Sequence, residues 1–230
     1  MAVQAHRGSP DPEQGIRENT VEAFLRAREL GADGVELDVR MTSDGGLAVH
    51  HDPVIEGVGP VCEVRAAELP SFVPLLPVVL ELCHGLTMNI EIKNLPGEPG
   101  FDPADLVALE VAELVAASGR ESSVVISSFW PDTLEAVRNA QADLATGLLL
   151  SSWFDPTEGV TAATSRGCTA LHPHISLVGE ALVDRAHDAG LSVATWTVND
   201  ETNLEQAAKA GVDTVITDDV RLVVGTLRPG

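Results

Sequence analysis

Charged residues recur in pairs, at a spacing of two, within apolar runs of the chain. Glu36 and Asp38 lie two residues apart in GVELDV, and Glu91 and Lys93 lie two apart in NIEIK. Alternate residues of a strand project from one face, so each pair would share a face of its strand. If these strands were neighbours in a barrel, three carboxylates would meet inside it.

Three inward carboxylates repel one another unless a cation lies between them. A hard divalent ion, Mg²⁺ or Ca²⁺, suits an all-carboxylate set better than zinc does. The spacing therefore favours a metal site at Glu36, Asp38 and Glu91. An ordinary solvated or ion-paired arrangement is the alternative, in which Lys93 merely neutralises Glu91.

Two histidines end other apolar runs, His6 in HRG and His51 in HHDP. An imidazole has a pKa near 6.5, so one copy can act as a base and a second as an acid. Neighbours on a strand face opposite ways, so only one of His50 and His51 can enter a shared site. Arg7 follows His6 directly and supplies a cation for an anionic group.

A recurring unit of amphipathic helix, glycine and short β-branched strand must position these residues. It is clearest in ENTVEAFLRARELGADGVELDV, where Asn19 or Thr20 can cap the helix and Gly31 can end it. Such repetition predicts parallel strands joined by crossover helices. Strands are predicted at 2–6, 34–39, 87–92, 123–128, 145–150, 169–172, 191–196 and 213–217.

Eight such strands favour a closed (β/α)₈ TIM barrel, whose catalytic groups lie at the carboxyl ends of the strands. A doubly wound open sheet is the alternative, although no GxGxxG or GxxxxGK[ST] turn follows any strand. A ninth strand at 47–51 follows the SDGG turn, and a hairpin about that turn places His51 opposite Asp38. The other possibility is that 47–51 is itself a barrel strand. Residues 53–73 are predicted to be a short insertion over the barrel mouth, within a single domain spanning 1–230.

Composition narrows the function classes. The 230 residues include 35 acidic and 14 basic ones, giving a net charge of −21. That charge argues against nucleic-acid binding and against an anionic membrane surface. No signal-peptide pattern and no run of about 18 apolar residues is seen, so we expect a cytoplasmic protein without stable membrane insertion. Three widely separated cysteines predict neither a disulfide framework nor a zinc site; the oligomeric state is open.

The ordered set HRG, ENT, ExD, DG-x(4)-HD, EIK, SSF, WTVN and ITD resembles the glycerophosphodiester phosphodiesterase family, within the phosphatidylinositol-phospholipase-C-like superfamily. The resemblance runs from residue 5 to about 219. It implies a metal-dependent barrel that hydrolyses glycerophosphodiesters, small-molecule substrates, to glycerol 3-phosphate and an alcohol. Carried over by residue, it implies these roles: Glu36, Asp38 and Glu91 as metal ligands, His6 and His51 as the catalytic acid/base pair, and Arg7, Lys93 and Trp196 as substrate contacts.

The chain departs from the family pattern after His51 and Asp52. The family's usual stretch carries arginine and threonine, whereas this chain reads PVIEGVGP. We therefore expect few contacts to the leaving-group alcohol. The open alternatives are a lysophospholipase-D-like or sphingomyelinase-D-like phosphodiesterase, a phosphatase-like side activity, and a non-catalytic barrel that binds phosphate esters. A second metal pair at His172 and His174 is a further alternative, without an evident third ligand.

Overall fold

Eight parallel strands close into a barrel in the computed structural model, which describes residues 1–228. The strands in chain order are β1 (Ala2–Ala5), β2 (Gly34–Met41), β3 (Leu47–Val49), β4 (Val54–Ile55), β5 (Gly59–Pro60), β6 (Thr87–Ile92), β7 (Val124–Ser128), β8 (Ala145–Leu150), β9 (Ala170–Pro173), β10 (Ser192–Thr195) and β11 (Thr214–Thr217). The barrel order is β1-β11-β10-β9-β8-β7-β6-β2, and a β1–β2 pairing closes it. The predicted TIM barrel is confirmed, and closure excludes the open doubly wound sheet.

One α-helix follows each barrel strand. The helices are α1 (Val21–Glu29), α2 (Leu76–Leu82), α3 (Leu106–Ser118), α4 (Pro131–Ala140), α5 (Pro156–Ser165), α6 (Glu180–Asp188), α7 (Glu201–Ala210) and α8 (Val220–Leu227). Thr20 caps α1, because its hydroxyl accepts a hydrogen bond from the Ala23 amide at 3.2 Å. No helix within residues 1–228 has the length and apolarity that crossing a membrane requires.

The two faces of each barrel strand have different roles. On β2, Val35 and Leu37 are fully buried and share an apolar cluster with Phe24 of α1. Glu36 and Asp38 alternate with them and therefore face the barrel interior. Apolar packing against the helices thus fixes the direction in which the chemical side chains point.

The strand β3 forms an antiparallel hairpin with β2 rather than a ninth barrel strand. The hairpin loop is one residue tighter than the SDGG turn predicts, because Thr42 and Gly46 close it with two hydrogen bonds of 2.8 Å. Gly45, at φ +84°, supplies the left-handed residue that a three-residue loop needs. The predicted register is therefore wrong by one: the residue opposite Asp38 is His50, whose amide donates to the Asp38 carbonyl at 3.0 Å.

Residues 53–73 fold as a small unit beside β3. They contain the β4–β5 hairpin and short 3₁₀ turns at Val61–Glu63 and Ala66–Glu68. Ile55, Val61 and Val73 pack with Ala48 in a satellite apolar cluster. We predicted that this insertion lies over the barrel mouth. None of its residues lines the cavity described below.

Candidate active site

Three carboxylates meet inside the barrel near the carboxyl ends of β2 and β6. Asp38 lies beside Glu91 in the parallel register, and Glu36 projects from the same face of β2. One oxygen atom from each lies within 4.8 Å of the others, and all three side chains are buried. The fold thus brings together the three acidic residues that the sequence analysis selected.

The acidic cluster is incompletely neutralised. Burial raises the pKa of Glu36 to about 8, and the charge of Asp38 adds to that effect. Burial also raises the pKa of Glu91, although Lys93 opposes the shift. For Asp38, burial opposes ionisation, but nearby positive charges, foremost Lys93, outweigh it and hold the pKa below its usual range. Ionisation of Glu36 is therefore disfavoured unless a further cation approaches.

Lys93 lies between two members of the cluster. Its Nζ is 2.6 Å from Glu91 Oε1 and 3.1 Å from Asp38 Oδ1. Burial alone would lower the pKa of Lys93, but these two carboxylates outweigh burial and raise it. Lys93 thus neutralises both carboxylates here, and its side chain also lines the cavity.

The HRG turn wraps the backbone around the acidic cluster. Arg7 has a left-handed backbone (φ +54°), and its amide donates to Glu36 Oε2 at 3.0 Å. Its guanidinium Nε lies 3.5 Å from Asp38 Oδ2. Gly8 follows at φ +84°, where a Cβ atom would come within 2.8 Å of Ala23 Cβ. A glycine is therefore required at this position, because the turn packs directly against α1.

His6 is held between a carboxylate and the acidic cluster. Its Nδ1 lies 2.6 Å from Asp218 Oδ1, and its Nε2 lies 4.0 Å from Glu36 Oε2. Asn199 donates to the other oxygen of Asp218 at 2.6 Å and accepts from the Asp218 amide at 2.9 Å. Burial opposes protonation of His6, but the hydrogen bond to Asp218 and the charge of Glu36 outweigh it and raise its pKa.

His51 reaches the cavity although it does not lie opposite Asp38. The strand β3 ends at Val49 and the chain bends through 51–53, so strand alternation no longer fixes the side-chain direction. Among residues 1–228, the cavity lining includes His51 and not His50. Its Nδ1 lies 2.7 Å from Asp52 Oδ1. Burial lowers the pKa of His51, which is the opposite direction from His6.

Four residues that contact the site side chains were not assigned roles in the site from the sequence: Asp218, Asn199, Asp52 and Asn19, of which Asn19 was considered only as a helix cap, a position that Thr20 occupies. Asn19 donates from Nδ2 to Asp38 Oδ2 at 2.8 Å, and its Oδ1 accepts from the Asp38 amide at 3.2 Å. All four residues lie in motifs that are recognisable in the sequence, namely ITD, WTVN, HD and ENT. Their spacing alone does not reveal which side chain each one contacts.

A cavity of about 390 Å³ opens above the acidic cluster. Its polar walls include both histidines, Arg7 and Lys93, and its apolar walls include Phe129, Leu149 and Trp196. The Phe129 and Trp196 rings contact edge to face, 5.6 Å apart. Cationic and proton-transferring groups thus surround one small space, which is the arrangement that an anionic ester requires.

The residues present fit a divalent cation. Glu36 Oε1 is buried and has no hydrogen-bond partner among residues 1–228. The donors are carboxylate oxygens alone, which is the set that hard cations such as Mg²⁺ and Ca²⁺ prefer. An added positive charge would also relieve the repulsion that raises the pKa of Glu36.

The geometry of residues 1–228 gives no support for a second metal pair at His172 and His174. His172 is buried in the barrel, where burial lowers its pKa to about 4. His174 packs edge to face against Trp196, and its Nδ1 contacts Ser176 Oγ at 2.8 Å. Neither belongs to a group of three candidate ligands within residues 1–228.

Comparison with known proteins gives one family. The model of the glycerophosphoryl diester phosphodiesterase family matches residues 6–222. A glycerophosphodiester phosphodiesterase of Caldanaerobacter subterraneus is 32% identical over 99% of this chain and 98% of its own length. The crystal structure of a glycerophosphodiester phosphodiesterase from Thermotoga maritima has a TM-score of 0.80 and 27% identity, covering 99% of this chain and 98% of that one.

A phosphodiesterase of Oleispira antarctica, solved with its product sn-glycerol-3-phosphate, shares the fold. Its TM-score is 0.84 at 22% identity, covering 99% of this chain and 96% of that one. The family match spans the HRG turn, the three carboxylates and both histidines, which are the residues that the barrel brings together. The chain belongs to the glycerophosphoryl diester phosphodiesterase family.

Proposed function

We propose that this protein hydrolyses glycerophosphodiesters to glycerol 3-phosphate and an alcohol, with a divalent metal held by Glu36, Asp38 and Glu91. Its family makes it a phosphoric diester hydrolase. The observation that carries the finer proposal is the pairing of two histidines with separate aspartates beside one carboxylate cluster, His6 with Asp218 and His51 with Asp52.

The cationic side chains would bind the phosphate. A phosphodiester carries one negative charge, and charge grows on its outer oxygens as the nucleophile attacks. Arg7 and Lys93 line the cavity and supply fixed positive charge there. A divalent ion, when bound, adds Lewis-acid stabilisation of the same charge. Lys93 pairs with Glu91 and Asp38, and its ammonium would be available to a phosphate oxygen if a cation held by the three carboxylates shared that neutralisation.

The opposite pKa shifts of the two histidines support different roles for them. Titratable groups whose surroundings move their pKa values apart make an acid and a base in one site. His6, with a raised pKa, holds its proton more tightly than a free imidazole and would serve as the acid. His51, with a lowered pKa, gives up its proton more readily and would serve as the base. In hydrolysis, His51 would take a proton from the attacking water, and His6 would give its proton to the oxygen of the departing alcohol.

The test is release of glycerol 3-phosphate from glycerophosphocholine, glycerophosphoethanolamine and glycerophosphoinositol by purified protein, before and after exhaustive EDTA treatment. We expect activity that EDTA abolishes and that added Mg²⁺ or Ca²⁺ restores. Full activity in EDTA would contradict the metal proposal. No product from any ester, with metal present, would favour the non-catalytic phosphate-ester-binding barrel instead.

A further inference from the structure

A second, apolar cavity adjoins the catalytic one. It measures about 750 Å³ and follows the carboxyl ends of β7, β8 and β9. Phe129, Leu149 and Trp196 line both cavities, so the two are direct neighbours. Within residues 1–228, no aspartate, glutamate, lysine or arginine lines this second space, which we call the apolar groove. The catalytic cavity, in contrast, is rich in charge.

The apolar groove concentrates the aromatic residues of the chain. The sequence has five phenylalanines and three tryptophans, and five of these eight side chains line the groove, including every tryptophan. Trp153 is 85% exposed and Phe154 is 38% exposed, at the outer end of the groove. Large apolar side chains left in water beside a cavity mark a surface that binds something apolar.

We propose that the apolar groove binds a hydrocarbon chain on the alcohol half of the substrate. This proposal rests on the proposed function. A ligand that spans both cavities has a phosphodiester at Arg7 and Lys93 and a hydrocarbon portion against Phe129, Trp196 and Trp153. The substrate class is therefore a glycerophosphodiester whose leaving alcohol carries a single alkyl or acyl chain.

The chemistry of glycerol assigns the chain to the alcohol half. The glycerol of a glycerophosphodiester has two free hydroxyls, and burying them without hydrogen-bond partners is energetically unfavourable. The groove walls offer few such partners, since they are mainly leucine and aromatic side chains. Glycerol therefore belongs in the polar catalytic cavity, and the leaving alcohol faces the groove. In the reaction, water adds at phosphorus, the bond from phosphorus to the alcohol oxygen breaks, and that oxygen receives the proton.

Chain-length dependence measures occupancy of the groove. Burying one methylene group multiplies kcat/KM by about fourfold when the contact forms in the transition state. The probes are glycerophosphoalkyl esters from ethyl to dodecyl, kept below their micelle concentrations, with glycerol 3-phosphate release as the readout. We expect kcat/KM to rise with length by about fourfold per methylene until the groove is filled. A flat dependence overturns the proposal.

Two variants test whether the chain-length dependence of kcat/KM arises in the apolar groove. Trp153→Ala removes an apolar wall, and Ser152→Glu places a charge in the groove at an exposed position. Each should lower kcat/KM for the dodecyl ester by at least about tenfold and leave the ethyl ester unchanged. Leu82→Ala is the matched control, an exposed apolar residue on α2 outside the groove, and should leave both esters unchanged. Equal losses on both esters in the Trp153 and Ser152 variants overturn the proposal.

The remaining outcomes separate this proposal from the proposed function. Release of glycerol 3-phosphate from the ethyl ester without chain-length dependence contradicts the groove proposal alone. No release from any ester, with metal present, contradicts both the proposed function and the groove proposal. A monoacyl glycerophosphocholine, which carries its chain on the glycerol, is the comparison substrate. Faster release of choline from it than of dodecanol from the dodecyl ester overturns the assignment of the chain to the alcohol half.

Discussion

Asp218 is the residue whose replacement should disturb the acid most selectively. Its two oxygens serve two donors, His6 through Nδ1 at 2.6 Å and Asn199 through Nδ2 at 2.6 Å. Asp218→Asn keeps the shape of the side chain but leaves one oxygen for both donors and removes the negative charge. His6 would then lose its orientation, its charge partner, or both, while the three carboxylates of the cluster stay unchanged.

The magnitude follows from the hydrogen bond and its exposure. A hydrogen bond to a charged group contributes about 1.5–3 kcal/mol. The Asp218 side chain is 52% exposed, so solvent screens part of that interaction. After this discount for screening we use about 1–2 kcal/mol, which corresponds to a loss of about 5- to 30-fold in kcat. Because Asp218 raises the pKa of His6, its loss should also move the alkaline limb of the pH–rate profile to lower pH.

The assay is the pH dependence of kcat for glycerol 3-phosphate release by metal-loaded protein. Asp213→Asn is the matched control, since Asp213 contacts His187 at 3.0 Å outside the site, and kcat and its pH profile should not change. Asp52→Asn should act on the acid limb instead, because His51 is the base. An unmoved alkaline limb and unchanged kcat in Asp218→Asn would refute the role of His6 as the acid.

Four further outcomes are expected. Glu36→Gln should abolish divalent-metal binding, measured by calorimetry, and most activity, while the circular dichroism spectrum stays unchanged; undiminished metal affinity would contradict the ligand assignment. His50→Ala should retain kcat whereas His51→Ala loses it, and the reverse result would show that the wrong histidine has been placed in the site. Among small polar headgroups, kcat/KM should differ by less than about a thousandfold, since apolar contacts discriminate only about 10- to 200-fold per methylene; a larger preference would disprove weak polar contact at the alcohol. His172 has a pKa of about 4 in the folded protein, whereas the unfolded chain takes up a proton near pH 6.5. The free energy of unfolding should therefore fall by about 3 kcal/mol between pH 7 and 4, relative to the His172→Asn variant. Parallel pH curves of unfolding free energy for the two proteins would contradict this.

The fold was largely predictable because the charged side chains of the site and the apolar side chains of the core alternate along the same strands with a period of two residues. Inward carboxylates at every second residue of β2 alternate with Val35 and Leu37, so one pattern indicates both the strand and its orientation. The hairpin register was not predictable from the SDGG turn. The hydroxyl of Thr42 and the left-handed Gly45 shorten the loop by one residue. The loop length therefore depends on hydrogen bonds that the amino-acid sequence alone does not reveal.

The sequence indicated which residues meet at the barrel mouth, but not which partners their side chains contact. Asp218 lies 212 residues from His6 in the chain, and only the pairing of β1 with β11 brings them together. The apolar groove has the same origin, because Trp130, Trp153 and Trp196 come from three separate loops. Local periodicity carries no information about such contacts.

The most direct test of the proposed mechanism compares His6→Ala and His51→Ala with the unaltered protein, measuring metal affinity and kcat on the same samples. Positioned proton transfer contributes about 10²- to 10⁴-fold to a rate. We predict that each variant loses at least about 10²-fold in kcat for glycerol 3-phosphate release and binds the divalent ion as tightly as before. Retention of kcat in either variant would contradict the assignment of these two histidines as the acid and the base.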